Sequence, residues 1–264
     1  MSNKDDAAIA KIRSTFDQLE ADRARWATAS PPPTGSPLAE DDETWPSSPL
    51  SSHARQCLVC AWDHLDLTRL TIEQERSFPT AIYSVLRGAL LGSAEALWLL
   101  TPGDPADRRE RGLATTQEWL GKRIQWQHEL TPDLLSIDDA ARSGKQLKQL
   151  DTHLKAVTAL RAKKFKLNAT LIVEEAARQV FSTAPLVREA VREWRRLGGD
   201  AHALGWPLMG QSTSWGAKGP DGLAEANVVA DMVSVANAYL LAWTLYRAAV
   251  TRLDELATVP QARN

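Results

Sequence analysis

The chain reads as all-α, a helical bundle of six or seven helices with a Gly-rich loop before the last one. Three observations predict this. Apolar residues recur at intervals of three and four along most of the sequence. No segment shows the two-residue alternation of a strand. Proline, glycine and N-cap residues fall between stretches of helix length.

Residues 1–26 form the first expected helix, with Ile9, Ile12, Phe16, Leu19 and Trp26 on its apolar side. Residues 27–48 read as a disordered Pro-rich linker, because six of the fourteen prolines fall in 29–49 with almost nothing to bury. A single α-helical domain is expected over 49–257. Ser48-Pro49 opens its first helix, which runs to about Arg76. Thr80–Leu100 is the most apolar helix-length run, and a helix apolar nearly all round is a central one, so its Arg87 needs a partner or a solvated cavity. Asp104-Pro105 caps the next helix, which passes Trp119 and Trp126 to about Leu130. Ser136 starts a basic helix to about Lys166 with a core stripe of Leu147, Leu150, Leu154, Val157 and Leu160. A helix opens at Asn168 or Thr170 and runs through Phe181; another restarts at Pro185. Residues 198–222 hold half of the glycines and read as a functional or mobile loop. The last helix is expected over about Leu223–Leu256.

An apolar fraction of 44% fills a sizeable core, and a net charge of -2 gives no global argument for nucleic acid or acidic membranes. The charge is unevenly placed, however. Residues 142–196 carry 13 Lys/Arg against 5 Asp/Glu, while 1–75 carry 7 against 13. Such asymmetry permits a basic, RNA-binding face on a neutral molecule; the plainer reading is a solvated helix surface that offsets the acidic N-terminal part. Two cysteines exclude a disulfide framework and fit a reducing cytoplasm. The charged first twenty residues do not resemble a signal peptide, and no uncharged apolar run is long enough for a membrane span.

His53, Cys57, Cys60 and His64 share one helical stripe in zinc-friendly spacing. Eleven residues at about 1.5 Å each separate the ends by roughly 16 Å, so one ion cannot hold all four. The plainer reading is buried cysteines beside ordinary histidines, and no metal and no cofactor are assigned; a two- or three-ligand site completed from elsewhere is a third reading. Gly205–Ser212 imitates a phosphate loop but carries Gln211 in place of its lysine, and is rejected. Arg123–His128 and Arg196–His202 each fit the loose R-x(4–6)-H pattern of helical ribonucleases. His202 opens the Gly-rich segment beside Asp200 and Trp206. There a near-neutral imidazole would act as acid or base, and Arg87 or Arg196 would stabilise phosphate charge. The structural alternative pairs Arg87 with Asp63, Asp66, Glu95 or Asp231 and leaves His202 as a helix cap. Eight of the ten tryptophans read mostly as core-facing; Trp206 and Trp215, in the loop, are candidates to stack on a ligand or base, the plainer reading being that they pin the loop to the body.

Three segments carry a family resemblance: VLRGALLGSAEALWLLTPGDPADRRERGL (85–113), EWRRLGGDAHALGWPLM (193–209) and CLVCAWDHLDLTRL (57–70). Together they resemble a family of uncharacterised helical proteins of high-GC bacteria over about residues 50–255. That family is similar to the HEPN-like helical bundles, some of which are metal-independent ribonucleases of defence systems while others act as interaction modules. The resemblance implies functional positions at Arg87, Asp63, His64, Asp200 and His202. Gly198 stands where that family usually has serine, and the Arg and His are not paired on one helix as in its nucleases. The expected function is a cytoplasmic HEPN-like interaction module linked to defence or stress, with a homo-oligomer, a protein or RNA as partner. A metal-independent ribonuclease is the alternative.

Overall fold

The structure, a computed structural model, describes residues 3–28, 30–76, 78–130, 135–202, 204, 212–222 and 224–261. It is mostly helical, with α1 (Asn3–Arg13), α2 (Phe16–Ala27), α3 (Pro37–Asp42), α4 (Leu50–Glu73), α5 (Ala81–Leu100), α6 (Pro105–His128), α7 (Ile137–Leu160), α8 (Ala169–Val180), α9 (Ala184–Ala201) and α10 (Met232–Ala257). These outnumber the six or seven expected. A hairpin of β1 (Ser212–Lys218) and β2 (Ala224–Val229) precedes α10. Among the described residues no helix is long and apolar enough to cross a membrane. The chain forms two compact units, each drawn from three separate segments.

The first unit comprises Met1–Pro31, Ala54–Thr101 and Ala169–Glu255. Its centre is α5, buried at thirteen positions that include Leu86, Leu90, Leu97 and Leu100. Helices α8 and α9 pack on it and on each other. On another side α4 approaches so closely that a Cβ on Gly92 would lie 2.6 Å from the Cys57 carbonyl oxygen. The expected first helix is two, broken at Ser14-Thr15. The Thr15 hydroxyl turns back to the Ile12 carbonyl and also meets the Tyr239 hydroxyl at 2.8 Å. Both helices belong to this unit. Trp26 Nε1 donates to the Tyr246 hydroxyl, which donates to Asp22.

The second unit comprises Pro32–His53, Pro102–Asn168 and Leu256–Asn264. Here the segment read as a disordered linker contains α3. Ser36 accepts from the Ala39 amide as N-cap, Pro37 follows it, and Leu38 is fully buried. The Asp41 carboxylate, also buried, receives Arg108 at 2.6 Å and Arg109 at 3.0 Å. Composition counts apolar residues, so it overlooks a segment fixed by a buried carboxylate and the two arginines that bind it. Helices α6 and α7 pack together, with Glu110 binding Arg161 at 2.9 Å and also the Ala162 amide. In the expected stripe of α7, Leu150 and Val157 are buried, but Leu160 is 51% exposed because the helix ends there.

The Gly-rich stretch also departs from expectation. Residues 203 and 205–211, and with them Trp206, lie outside the described residues. Beyond them the backbone pairs antiparallel, Ser212 opposite Val229 and Trp215 opposite Ala226. Gly219–Gly222 reverses the chain, and Gly222 takes φ +79, the left-handed region suited to glycine. The last helix consequently begins at Met232, capped by Asp231 accepting from the Val233 and Ser234 amides.

Candidate functional site

Helix α9 is strongly two-sided. Val187, Ala190, Trp194 and Leu197 are buried, while Arg188, Arg192 and Arg195 are exposed. Trp194 is fixed by its Nε1 donating to Thr170 at 3.1 Å. Over its ring lies the guanidinium of Arg87 from α5, with Cζ 3.7 Å from the ring centroid and Nη1 donating to the Trp194 carbonyl at 3.3 Å. A Cβ at residue 198 would stand 2.5 Å from Arg87 Nη1, so the glycine there makes room for the arginine.

Among the described residues Arg87 has no carboxylate partner. The acids that could have neutralised it are engaged elsewhere. Asp66 binds Arg23 and Arg69, Glu95 accepts from the Cys57 thiol at 3.6 Å, and Asp231 caps α10. Asp63 is exposed on α4. Burial accordingly pulls the Arg87 pKa below its ordinary value, and no carboxylate among the described residues opposes it.

Trp194, Gly198 and His202 follow one another at steps of four. His202 therefore stands one helical turn, about 6 Å, beyond the glycine that seats Arg87. It is the exposed C-cap of α9, its backbone N–H bound to the Gly198 carbonyl at 3.1 Å. Arg196 is arranged differently. It binds Glu193 at 3.0 Å, lies 3.7 Å from Asp200 and covers the Tyr83 ring at 4.4 Å. Six residues from His202, it projects about 120° away around the helix. The Arg87 guanidinium thus lies against Gly198, on the stripe of α9 that leads to His202, and Arg196 and Asp200 form a separate ion pair. Burial raises the Asp200 pKa, against the pull of Arg196.

On α4, His64 Nδ1 lies 2.7 Å from the Cys60 carbonyl oxygen and 3.6 Å from its sulfur, with the ring against Gly88. Cys57 is buried, and burial pushes its thiol pKa well up. No cluster of three metal-capable side chains occurs among the described residues. Trp215 contributes backbone to β1.

A groove of about 670 Å³ runs between α8 and α9. Val187 and Val191 floor it, and Arg178, Arg188, Arg192, Arg195 and Arg196 line it together with Glu174. Arg178 pairs with Glu174 and Arg192 with Glu189. Arg188 and Arg195 have no carboxylate partner among the described residues. These two stand two helical turns apart on the side of α9 that leads, through Val191, to His202. A tally of charge over 142–196 points to the region without separating paired arginines from unpaired ones; the spacing 188, 191, 195, 202 was the available signal.

No known protein family, curated protein or solved structure matches this chain.

Proposed function

We propose that this chain is a cytoplasmic, HEPN-like helical binding module, tied to defence or stress, that engages RNA along the α8–α9 groove. The observation that carries this is the pair Arg188 and Arg195. They are exposed beside an apolar floor and free of carboxylates among the described residues, so they offer guanidinium forks to phosphates and flat faces to bases. The test is fluorescence anisotropy of a labelled RNA over a salt series. The Arg188→Glu/Arg195→Glu variant is expected to weaken binding at least tenfold. It should also lower the salt slope by about 1.4, the share of two single-strand phosphate contacts. Unchanged affinity and slope would remove the groove from consideration.

A specific observation favours a second reading, a metal-independent ribonuclease. Arg87 has no carboxylate partner among the described residues and lies against Gly198, one turn before His202, which suits an arginine that stabilises phosphate charge beside an imidazole acid or base. Cleavage of RNA in EDTA should then disappear in both His202→Ala and Arg87→Ala with the fold retained by circular dichroism. Activity surviving in His202→Ala would end this reading. In that scheme Asp200 orients Arg196 and takes no part in proton transfer.

A further inference from the structure

Tryptophan is normally buried, yet Trp126 is 60% exposed and Trp119 37% exposed, both on α6. This overturns the expectation that they face the core. Seven residues separate them, so they lie on one line of the helix about 10.5 Å apart along its axis. Lys122 and Arg123, both exposed, flank that line between them. Lys122 has a loose contact with Glu118 at 3.9 Å, and Arg123 has no carboxylate partner among the described residues.

The first tryptophan is braced from one side. His53 packs on it with ring centroids 4.3 Å apart, and His53 Nε2 is held by the Ser48 hydroxyl at 2.7 Å and the Thr116 hydroxyl at 2.9 Å. Burial keeps this imidazole neutral, its pKa pushed down to about 4. Trp119 is therefore a fixed plane with an uncharged backing.

We propose that Trp119 and Trp126 are a stacking platform for the unpaired bases of single-stranded RNA, with Lys122 and Arg123 taking the phosphate between two splayed bases. The inference rests on the RNA reading but uses a different surface, in the other compact unit. Aromatic planes interleaved with cations are the arrangement that single strands require, because every base has a π-face and every linkage a negative charge. A second copy of the chain suits the stripe poorly. A two-fold contact would set this patch against itself and bring Lys122 and Arg123 of both copies together.

The experiment measures anisotropy of a short fluorescein-labelled oligouridine and of an RNA duplex against four proteins: wild type, Trp126→Ala, Trp126→Phe and Arg188→Glu/Arg195→Glu. Trp126→Ala should bind the single strand about tenfold more weakly, with duplex affinity unchanged and Trp126→Phe close to wild type. Equal single-strand affinity for wild type and Trp126→Ala overturns the platform. If the groove variant alone loses binding, the groove stands and the platform falls. If Trp126→Ala alone loses it, the platform stands without the groove. Failure of the wild type to bind the oligouridine sinks the platform, and failure to bind either RNA sinks both. Sedimentation of the same variants completes the test: loss of a dimer in Trp126→Ala with RNA affinity intact reassigns the stripe to self-association.

Discussion

Two glycines of the first unit occupy equally tight places and should respond in opposite ways to a methyl group. At Gly92 an added Cβ meets the Cys57 carbonyl oxygen at 2.6 Å and the Ala61 amide nitrogen at 3.2 Å, both backbone atoms that cannot step aside. Gly92→Ala should cost about 1–3 kcal/mol of stability through forced separation of α4 and α5, read by urea unfolding. At Gly198 the obstacle is the far end of the Arg87 side chain, which can swing away. Gly198→Ala should leave stability unchanged or raise it by up to about 1 kcal/mol, since alanine favours helix. It should also dislodge the guanidinium from Trp194, and any RNA cleavage should fall as in Arg87→Ala. A Gly198→Ala protein that is fully active would show that the seat of Arg87 is irrelevant to function.

At the level of elements, the caps were the most legible features. Asp104 accepts from the Ala106 amide at 2.9 Å and Ser136 from the Asp139 amide at 3.2 Å, each where side-chain chemistry alone placed a helix start. The central helix was legible too, because a run apolar on nearly all sides has only the interior to occupy. Helix α3 was not, for its anchor is electrostatic and its partner Arg108 lies 67 residues away. Asp41→Ala should strand Arg108, whose side chain is only 3% exposed, and cost about 3–5 kcal/mol in thermal or chemical unfolding. A loss below about 1 kcal/mol would mean that water takes over the role of the carboxylate. The hairpin was half legible: Gly219-Pro220-Asp221-Gly222 is turn chemistry, but its flanks lack alternation. The platform tryptophans were misread because a helical stripe says that residues share a side and not which side meets solvent. The stack of Arg87 on Trp194 depends on two helices meeting, which no local spacing reveals.

For the molecule as a whole, neither compact unit is continuous in sequence, and this bears on how the chain is made. The Thr15 and Tyr239 hydroxyls that meet in the first unit are separated by 224 residues. At about 5–20 residues per second of synthesis, α1 and α2 wait roughly ten to forty-five seconds for α10. Ile12 and Leu19, fully buried in the finished structure, have no mature core to enter during that interval. The second unit, lying largely between those segments in sequence, has most of its own parts once residue 168 has emerged. Assembly on the ribosome is thus nested in sequence, the second unit gathering its parts while the first still waits for its last helix, and Ile12 and Leu19 are apolar side chains exposed to a chaperone through that interval.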